Sequence, residues 1–175
     1  SNLELSVISH SGEQRNILLS SESIELGGEQ CVISTGIDIT ERKKAEEEIK
    51  KINRIYTVLS NINQTIVRIK DKQTLFNEVC RIAVDDGKFR MVWIGMVDGQ
   101  STRVNPVASA GFTGDYLKTI NLDLNDEKLR QGQTGRAIKT GIHYFANDIA
   151  NDPDMIPWRE KALRHRYKSS AAFPI

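Results

Sequence analysis

Between residues 38 and 69 the alternation of polar and apolar positions changes character twice. From Glu41 to Lys51, nine of eleven residues are charged, and opposite signs recur four apart: Arg42 with Glu46, Lys43 with Glu47, Lys44 with Glu48, Glu46 with Lys50, Glu47 with Lys51. Pairs at that spacing hold a solvated helix, each adding about 0.2–0.5 kcal/mol. Beyond them Ile52, Ile55, Leu59, Ile62, Ile66 and Ile69 fall at steps of 3, 4, 3, 4 and 3, the seam of a coiled coil or the buried face of a domain's first helix. The pattern predicts one long helix from Asp38 to Ile69, spanning roughly 45 Å. Asp38 and Glu41 have the spacing of a capping box, and Thr40 is a second N-cap candidate. A parallel homodimer is the natural partner for the seam. The alternative is a helix packed on its own domain, because the seam lasts only about two to three heptads.

The sequence differs on the two sides of this rod. Residues 3–37 predict a three-strand antiparallel meander: Leu3 to Val7 alternates, Ser11-Gly12 marks a turn, Arg15 to Glu25 is β-rich, Gly27-Gly28 marks a second turn, and Cys31-Val32-Ile33 resumes. Three such strands bury too little to stand alone, so the unit is expected to lean on another copy or on the rod. After the rod, Asp71 caps a helix to about Asp85 with Leu75, Phe76, Val79, Ile82 and Ala83 on one face and Gly87 as its stop. Arg90 to Val97 has the near-continuous apolar run of a strand covered on both faces. Asp98-Gly99 turns the chain and Val104 to Gly111 is its partner strand. A short helix lies within Gly132 to Gly141, with Thr134 as N-cap and Gly141 beyond its end. Ile142 to Phe145 is a strand, Asn147 to Pro153 a loop of turn-forming residues, Asp154 to Tyr167 a basic helix and Ser169 to Ile175 a strand.

Composition narrows the function. In 175 residues, 24 basic and 23 acidic side chains leave a formal charge of +1, so no global field draws the chain to nucleic acid or to an anionic membrane. The longest uncharged stretch, Ile55 to Val67, is too short to span a bilayer, and no signal-peptide pattern is visible. Cys31 and Cys80 fall in different modules without a CxxC, so reduced thiols and a cytoplasmic location are expected, any membrane anchor lying upstream.

The run Leu3-Glu4-Leu5, Ser11-Gly12-Glu13, Gly27-Gly28 and then Asp38-Ile39-Thr40-Glu41-Arg42-Lys43-Lys44-Ala45-Glu46 resembles the C-terminal half of a PAS domain with its DIT signature and signalling helix. The strands and short helices that wall a PAS pocket are not present, so the resemblance implies a remnant that binds no cofactor as it stands. A second resemblance, to GAF domains, covers about residues 52–175. It is carried by Met91-Val92-Trp93-Ile94-Gly95, Ala108 to Phe112, Gly135-Arg136-Ala137-Ile138-Lys139-Thr140-Gly141, Asn147-Asp148-Ile149 with Asp152-Pro153, and Lys168 to Ile175. That family's last strand and closing helix are missing, which implies a gap in the sheet beside Met91 to Val97, filled by a strand from elsewhere. The implied fold class is α+β: a truncated PAS meander (1–38), a linker helix (39–69) whose second half is also the first GAF helix, and a GAF-like antiparallel sheet flanked by helices (70–175).

By the same resemblance, a ligand pocket is lined by Trp93, Tyr116, Tyr144, Asn147, Asp148, Trp158, Tyr167 and Ser170, which offer aromatic faces and a few directional hydrogen bonds. The alternative is that Trp93 and Tyr144 are core and Asp148 stabilises a turn. No cofactor is identified. The NKxnFxxxDE signature of cyclic-nucleotide-binding members cannot be placed, and no cysteine lies near His165-Arg166-Tyr167 to attach a bilin. The run Asn147, Asp148, Asn151, Asp152, Asp154 has no central glycine and meets Arg159 where a calcium loop needs a glutamate, so it reads as turns and caps. Arg159, Lys161, Arg164, His165, Arg166 and Lys168 read as a solvated basic face. Gly132-Gln133-Thr134-Gly135 fits no phosphate loop. His10, His143 and His165 are scattered, and no serine or cysteine has a base nearby in sequence.

These observations favour the sensory segment of a larger signalling protein. The segment itself is non-enzymatic, binds a small-molecule ligand in the GAF pocket, and forms a homodimer through the rod. The output domain expected in the same chain is a histidine kinase, a cyclase or a transcription regulator. The rivals are a ligand-free structural dimerisation module and a GAF-fold redox enzyme working through Cys80.

Overall fold

The computed structural model describes residues 2–97, 102–119, 122–126 and 132–175. The chain is α+β and divides into two compact units, residues 1–56 and 57–175. The turn expected at Asp98-Gly99 lies outside the described residues.

In the first unit, β1 (Asn2–Ile8), β2 (Gln14–Leu26) and β3 (Glu29–Asp38) form one antiparallel sheet in that order. The β2–β3 turn is built on Gly27 and Gly28, at φ of 62° and 87°. Two successive left-handed residues are what a two-residue hairpin loop demands. Among the described residues of this unit only Ile39 is buried, so the meander does rest on the start of the following helix. The Ile39 amide donates to the Asn16 carbonyl at 2.8 Å, the Asn16 amide donates to Thr40 Oγ1 at 2.9 Å, and Glu4 pairs with both Arg42 and Lys43.

Helix α1 runs Thr40–Arg68. It starts without the expected capping box: Asp38 accepts from the Thr40 amide and from Arg15, each at 2.9 Å, while Glu41 pairs with Lys44 instead of reaching back. Of the predicted i,i+4 pairs, Arg42–Glu46 forms at 3.7 Å. Lys43 and Lys44 are taken by Glu4 and Glu41.

In the second unit, α2 (Lys72–Asp85) begins as expected, Asp71 accepting from the Thr74 amide at 2.8 Å and from Thr74 Oγ1 at 2.6 Å. Its end differs from expectation. Asp86 is the C-cap and the left-handed residue is Lys88, at φ of 57°, whereas Gly87 is needed because a Cβ there would stand 2.4 Å from the Ala83 carbonyl oxygen. Cys80, Ile82 and Ala83 are buried on α2, which packs on the hairpin of β4 (Met91–Val97) and β5 (Val104–Gly111). The expectation that β4 is covered on both faces is corrected: it is half-buried, and Met96 and Val97 are exposed. It pairs with β5 alone among the described residues, and no described strand fills the expected gap.

A helix spans Gln133–Thr140, but its N-cap is Gly132 and not Thr134; Gly141 closes it at φ of 68°. A separate small sheet pairs β6 (Tyr144–Ala146) with β7 (Ser170–Ala172). Both strands are shorter than expected, and Pro174, which has no amide to donate, cannot extend the second. The long basic helix is also corrected. A 3-10 turn at Pro153–Met155 comes first, Pro157 interrupts, and the helix covers only Arg159–Arg164. It ends in a Schellman pattern, Arg166 left-handed at φ of 61°, the Tyr167 amide returning to Ala162 O and the Arg166 amide to Leu163 O. No described helix is long and apolar enough to cross a membrane.

Candidate functional site

The core of the second unit gathers Val104, Tyr116, Leu122, Ala146, Ile149, Met155, Trp158, Ala162 and Tyr167, with Trp93 packed against it. Half of the residues expected to bind ligand therefore meet here: Trp93, Tyr116, Trp158 and Tyr167. Two of them are seated on glycine. A Cβ on Gly95 would stand 2.6 Å from the Trp93 ring, and one on Gly132 would stand 2.1 Å from the Trp158 ring. The bulge between Ile94 and Gly95 lies at the first of these seats.

Tyr116 and Tyr167 meet edge to face, with centroids 5.2 Å apart and planes at 82°, the arrangement ring quadrupoles favour. Tyr167 donates its hydroxyl proton to the Phe112 carbonyl and lies 3.3 Å from Met91 Sδ. His165 stacks on Tyr167, and its Nε2 is 3.0 Å from Asp115. Burial pushes the Tyr116 hydroxyl up to about 12 and raises that of Tyr167 as well, so both remain neutral hydrogen-bonding groups at neutral pH.

The other four expected residues lie nearer the surface. Tyr144 is half-buried beneath the Arg136 guanidinium, 5.1 Å from its ring centroid. Asn147 is exposed. Asp148, also exposed, accepts from the Ala150 amide at 3.1 Å and from Asn151 Nδ2 at 2.7 Å, and the Asn151 hydrogen bond is the chief reason its carboxyl titrates below the usual range. Half-buried Ser170 donates to Gln133 Oε1 at 2.7 Å.

That hydrogen bond identifies a residue the sequence reading passed over. Gln133 Nε2 is buried and makes no hydrogen bond to a described residue, and the same holds for Arg159 Nε, while Arg159 donates from a terminal nitrogen to the Asp152 carbonyl at 2.8 Å. Buried donors without an acceptor are uncommon. Gln133 had no sequence signal beyond its place in a glycine-flanked run. No cluster of three or more His, Cys, Asp or Glu among the described residues could hold a metal ion. What the arrangement offers is apolar enclosure and hydrogen bonding; Cys80, fully buried and with its thiol pushed up by burial, presents no nucleophile.

The unit also carries a groove of about 180 Å³ on α1 and α2, lined by Asn61, Gln64, Thr65 and Arg68 with Arg81, Ile82 and Asp86. It shares no residue with the aromatic cluster. Along α1 and just past its end, Val58, Asn61, Ile62, Thr65 and Ile69 are half-buried, a mixed polar and apolar face, whereas Ile52, Ile55, Leu59 and Ile66 are exposed. The seam read from sequence is thus divided, with Ile62 and Ile69 turned inward and the rest outward.

A comparison with curated proteins found no match. Among solved structures, the chain is similar to one described as a crystal structure of the A. Aeolicus nlh2 GAF domain in an inactive state, at 15% identity and a TM-score of 0.48, covering 63% of this chain and 60% of that one. A family profile described as a GAF domain matches residues 70–175. That match takes in well over half of the 175 residues, and the chain belongs to the GAF domain family, whose members are signalling and ligand-binding regulatory modules.

Proposed function

We propose that this chain is the input segment of a signal-transduction protein, in which the GAF unit binds a small ligand at its aromatic core and α1, paired with a second copy, carries the response. The observation that supports it most is the way the apolar residues of this segment divide: Val58, Ile62 and Ile69 are half-buried beside Asn61 and Thr65, while Ile52, Ile55, Leu59 and Ile66 are exposed. An amphipathic helix normally buries its apolar stripe, so the apolar part left exposed calls for another partner. In this reading residues 1–38 are the end of a PAS domain, 39–69 a signalling helix, and the output is a histidine kinase in the same polypeptide. The ligand contacts are Trp93, Tyr116, Tyr144, Asn147, Asp148, Trp158, Tyr167 and Ser170, joined by Gln133. For ligand to act, it must favour one arrangement of the paired helices over another, since equal affinity for both shifts nothing.

The test is solution mass by light scattering over a concentration series, for the chain and for the double variant Ile52→Asp, Leu59→Asp. A dimer that becomes a folded monomer in the variant supports the reading; a monomeric parent removes the paired helix from it. One observation favours a second reading. Trp93, Tyr116, Trp158 and Tyr167 pack into a single cluster, as they would in a structural dimerisation module whose pocket is filled by its own side chains. Tryptophan fluorescence during a small-molecule screen separates the two, because the structural module gives no saturable change.

A further inference from the structure

The exposed face of α1 has a register different from the one the isoleucines alone suggest. Ile49, Ile52, Tyr56, Leu59, Asn63 and Ile66 are all exposed and fall at steps of 3, 4, 3, 4 and 3. In heptad terms Ile49, Tyr56 and Asn63 take position a, and Ile52, Leu59 and Ile66 take position d. Five of the six are large and apolar, with exposures from 45% to 68%. The sixth is Asn63, whose exposed carboxamide makes no hydrogen bond to another described residue. A lone asparagine at an a position, in an otherwise apolar seam, is the device that fixes register and orientation in parallel two-stranded coiled coils.

We propose that this seam is occupied by a second copy of the chain, parallel and in register, with Asn63 hydrogen-bonded to the partner's Asn63 across the two-fold axis. The proposal rests on the paired-helix reading above and specifies its geometry. Three features argue for a second copy over an unrelated apolar partner. The carboxamide carries both a donor and an acceptor, so it satisfies itself in a symmetric pair, whereas an apolar surface would bury it unpaired. The flanking positions are compatible in a parallel pair: Ile62 falls opposite the partner's Val67 and Glu48 opposite the partner's Asn53, so no like charges face each other from Ile49 to Ile66. The interior face of α1 is already committed to its own domain, through Asn61 and Asp86 at 2.8 Å, which leaves the outer seam free for a partner.

The experiment uses the full chain and three variants, Leu59→Asp, Asn63→Ile and Asn63→Cys. Sedimentation over a concentration series is expected to show a dimer for the parent, a monomer for Leu59→Asp, and, for Asn63→Ile, a complex at least tenfold tighter that also populates species larger than a dimer. Under mild oxidation Asn63→Cys is expected to form a disulfide-linked dimer well above the level given by the parent's own cysteines. A strict dimer of unchanged affinity for Asn63→Ile, or no added cross-link for Asn63→Cys, overturns the Asn63 assignment while the helix-borne dimer stands. A parent that stays dimeric with Leu59→Asp, or is monomeric throughout, overturns the paired helix and this assignment with it.

Discussion

Asn61 of α1 donates a hydrogen bond to Asp86, the C-cap of α2, at 2.8 Å. The contact lies beside Gln64 and Thr65, which line the groove between α1 and α2, while Leu59 and Ile66 are exposed. For Asn61→Ala we expect a stability loss of about 1 kcal/mol, the usual net value of such a bond, read by urea unfolding. The oligomeric mass should be unchanged, because the outer seam is untouched. A change of mass with no loss of stability would mean that Asn61 belongs to the intermolecular face.

Gly132 and Gly141 flank the same helix for different reasons, and alanine should separate them. At Gly132 an added Cβ meets the Trp158 ring at 2.1 Å; at Gly141 it meets nothing, but the backbone is left-handed at φ of 68°. Gly132→Ala should displace Trp158 and cost roughly 1–3 kcal/mol, as overpacking does, with a changed tryptophan near-ultraviolet spectrum. Gly141→Ala should cost about 1 kcal/mol of backbone strain and leave that spectrum alone.

Asp38 joins the meander to α1, and its titration should be visible. Hydrogen bonds from Thr40 first, and then from Arg15, pull its carboxyl down to about 2, against about 3.9 for an unperturbed aspartate. A depressed folded value stabilises above the unfolded one, so the contribution is whole above about pH 4 and is lost as pH falls toward 2. Asp38→Asn should flatten that part of the acid-unfolding profile, followed by circular dichroism. A profile that keeps its slope between those values would show that other carboxylates carry it.

At the alkaline end the sign reverses. Tyr116 is raised by burial to about 12, so its neutral form stabilises the fold below about pH 10, the unfolded value, and that stability drains away as pH rises toward 12. In a spectrophotometric titration of the native chain, Tyr116 should ionise late, near pH 12, and Tyr116→Phe should diminish that late step.

The two cysteines should differ sharply toward a thiol reagent. Cys31 is partly exposed and Cys80 is fully buried with its thiol raised, so the native chain should take up one equivalent rapidly and the second only in denaturant. Fast modification at Cys80 would restore the redox-enzyme reading.

Much of this architecture was legible from local chemistry. The three strands of the meander, the Asp71 cap, the limits of β5 and the glycine end of the helix at Gly141 all rest on short-range signals: alternation, side-chain capping, and backbone angles open mainly to glycine. The misses have more than one cause. Asp38 was expected to complete a capping box, but Arg15, far away in sequence, takes its second oxygen. Thr134 has the chemistry of a cap, yet Gly132 holds the position, and the basic helix is cut short by Pro157, a breaker visible in the sequence itself. At Asp38 a tertiary neighbour outcompeted a local preference worth about 1 kcal/mol.

For the candidate site, the resemblance pointed to a set of aromatic and polar residues, and only the fold could say which of them meet. Trp93, Tyr116, Trp158 and Tyr167 come together from separate elements, whereas Asn147 and Asp148 stay on an exposed loop. Gln133 became visible only through the acceptor its amide nitrogen lacks. The sequence by itself determined that α1 would be a long amphipathic helix, because helical period and charge spacing are properties of neighbouring residues. Which of its residues are covered was decided by tertiary structure: Val58, Asn61, Ile62 and Thr65 are half-buried, with Asn61 bonded to Asp86, because residues distant in sequence pack there, and Leu59 and Ile66 are left exposed.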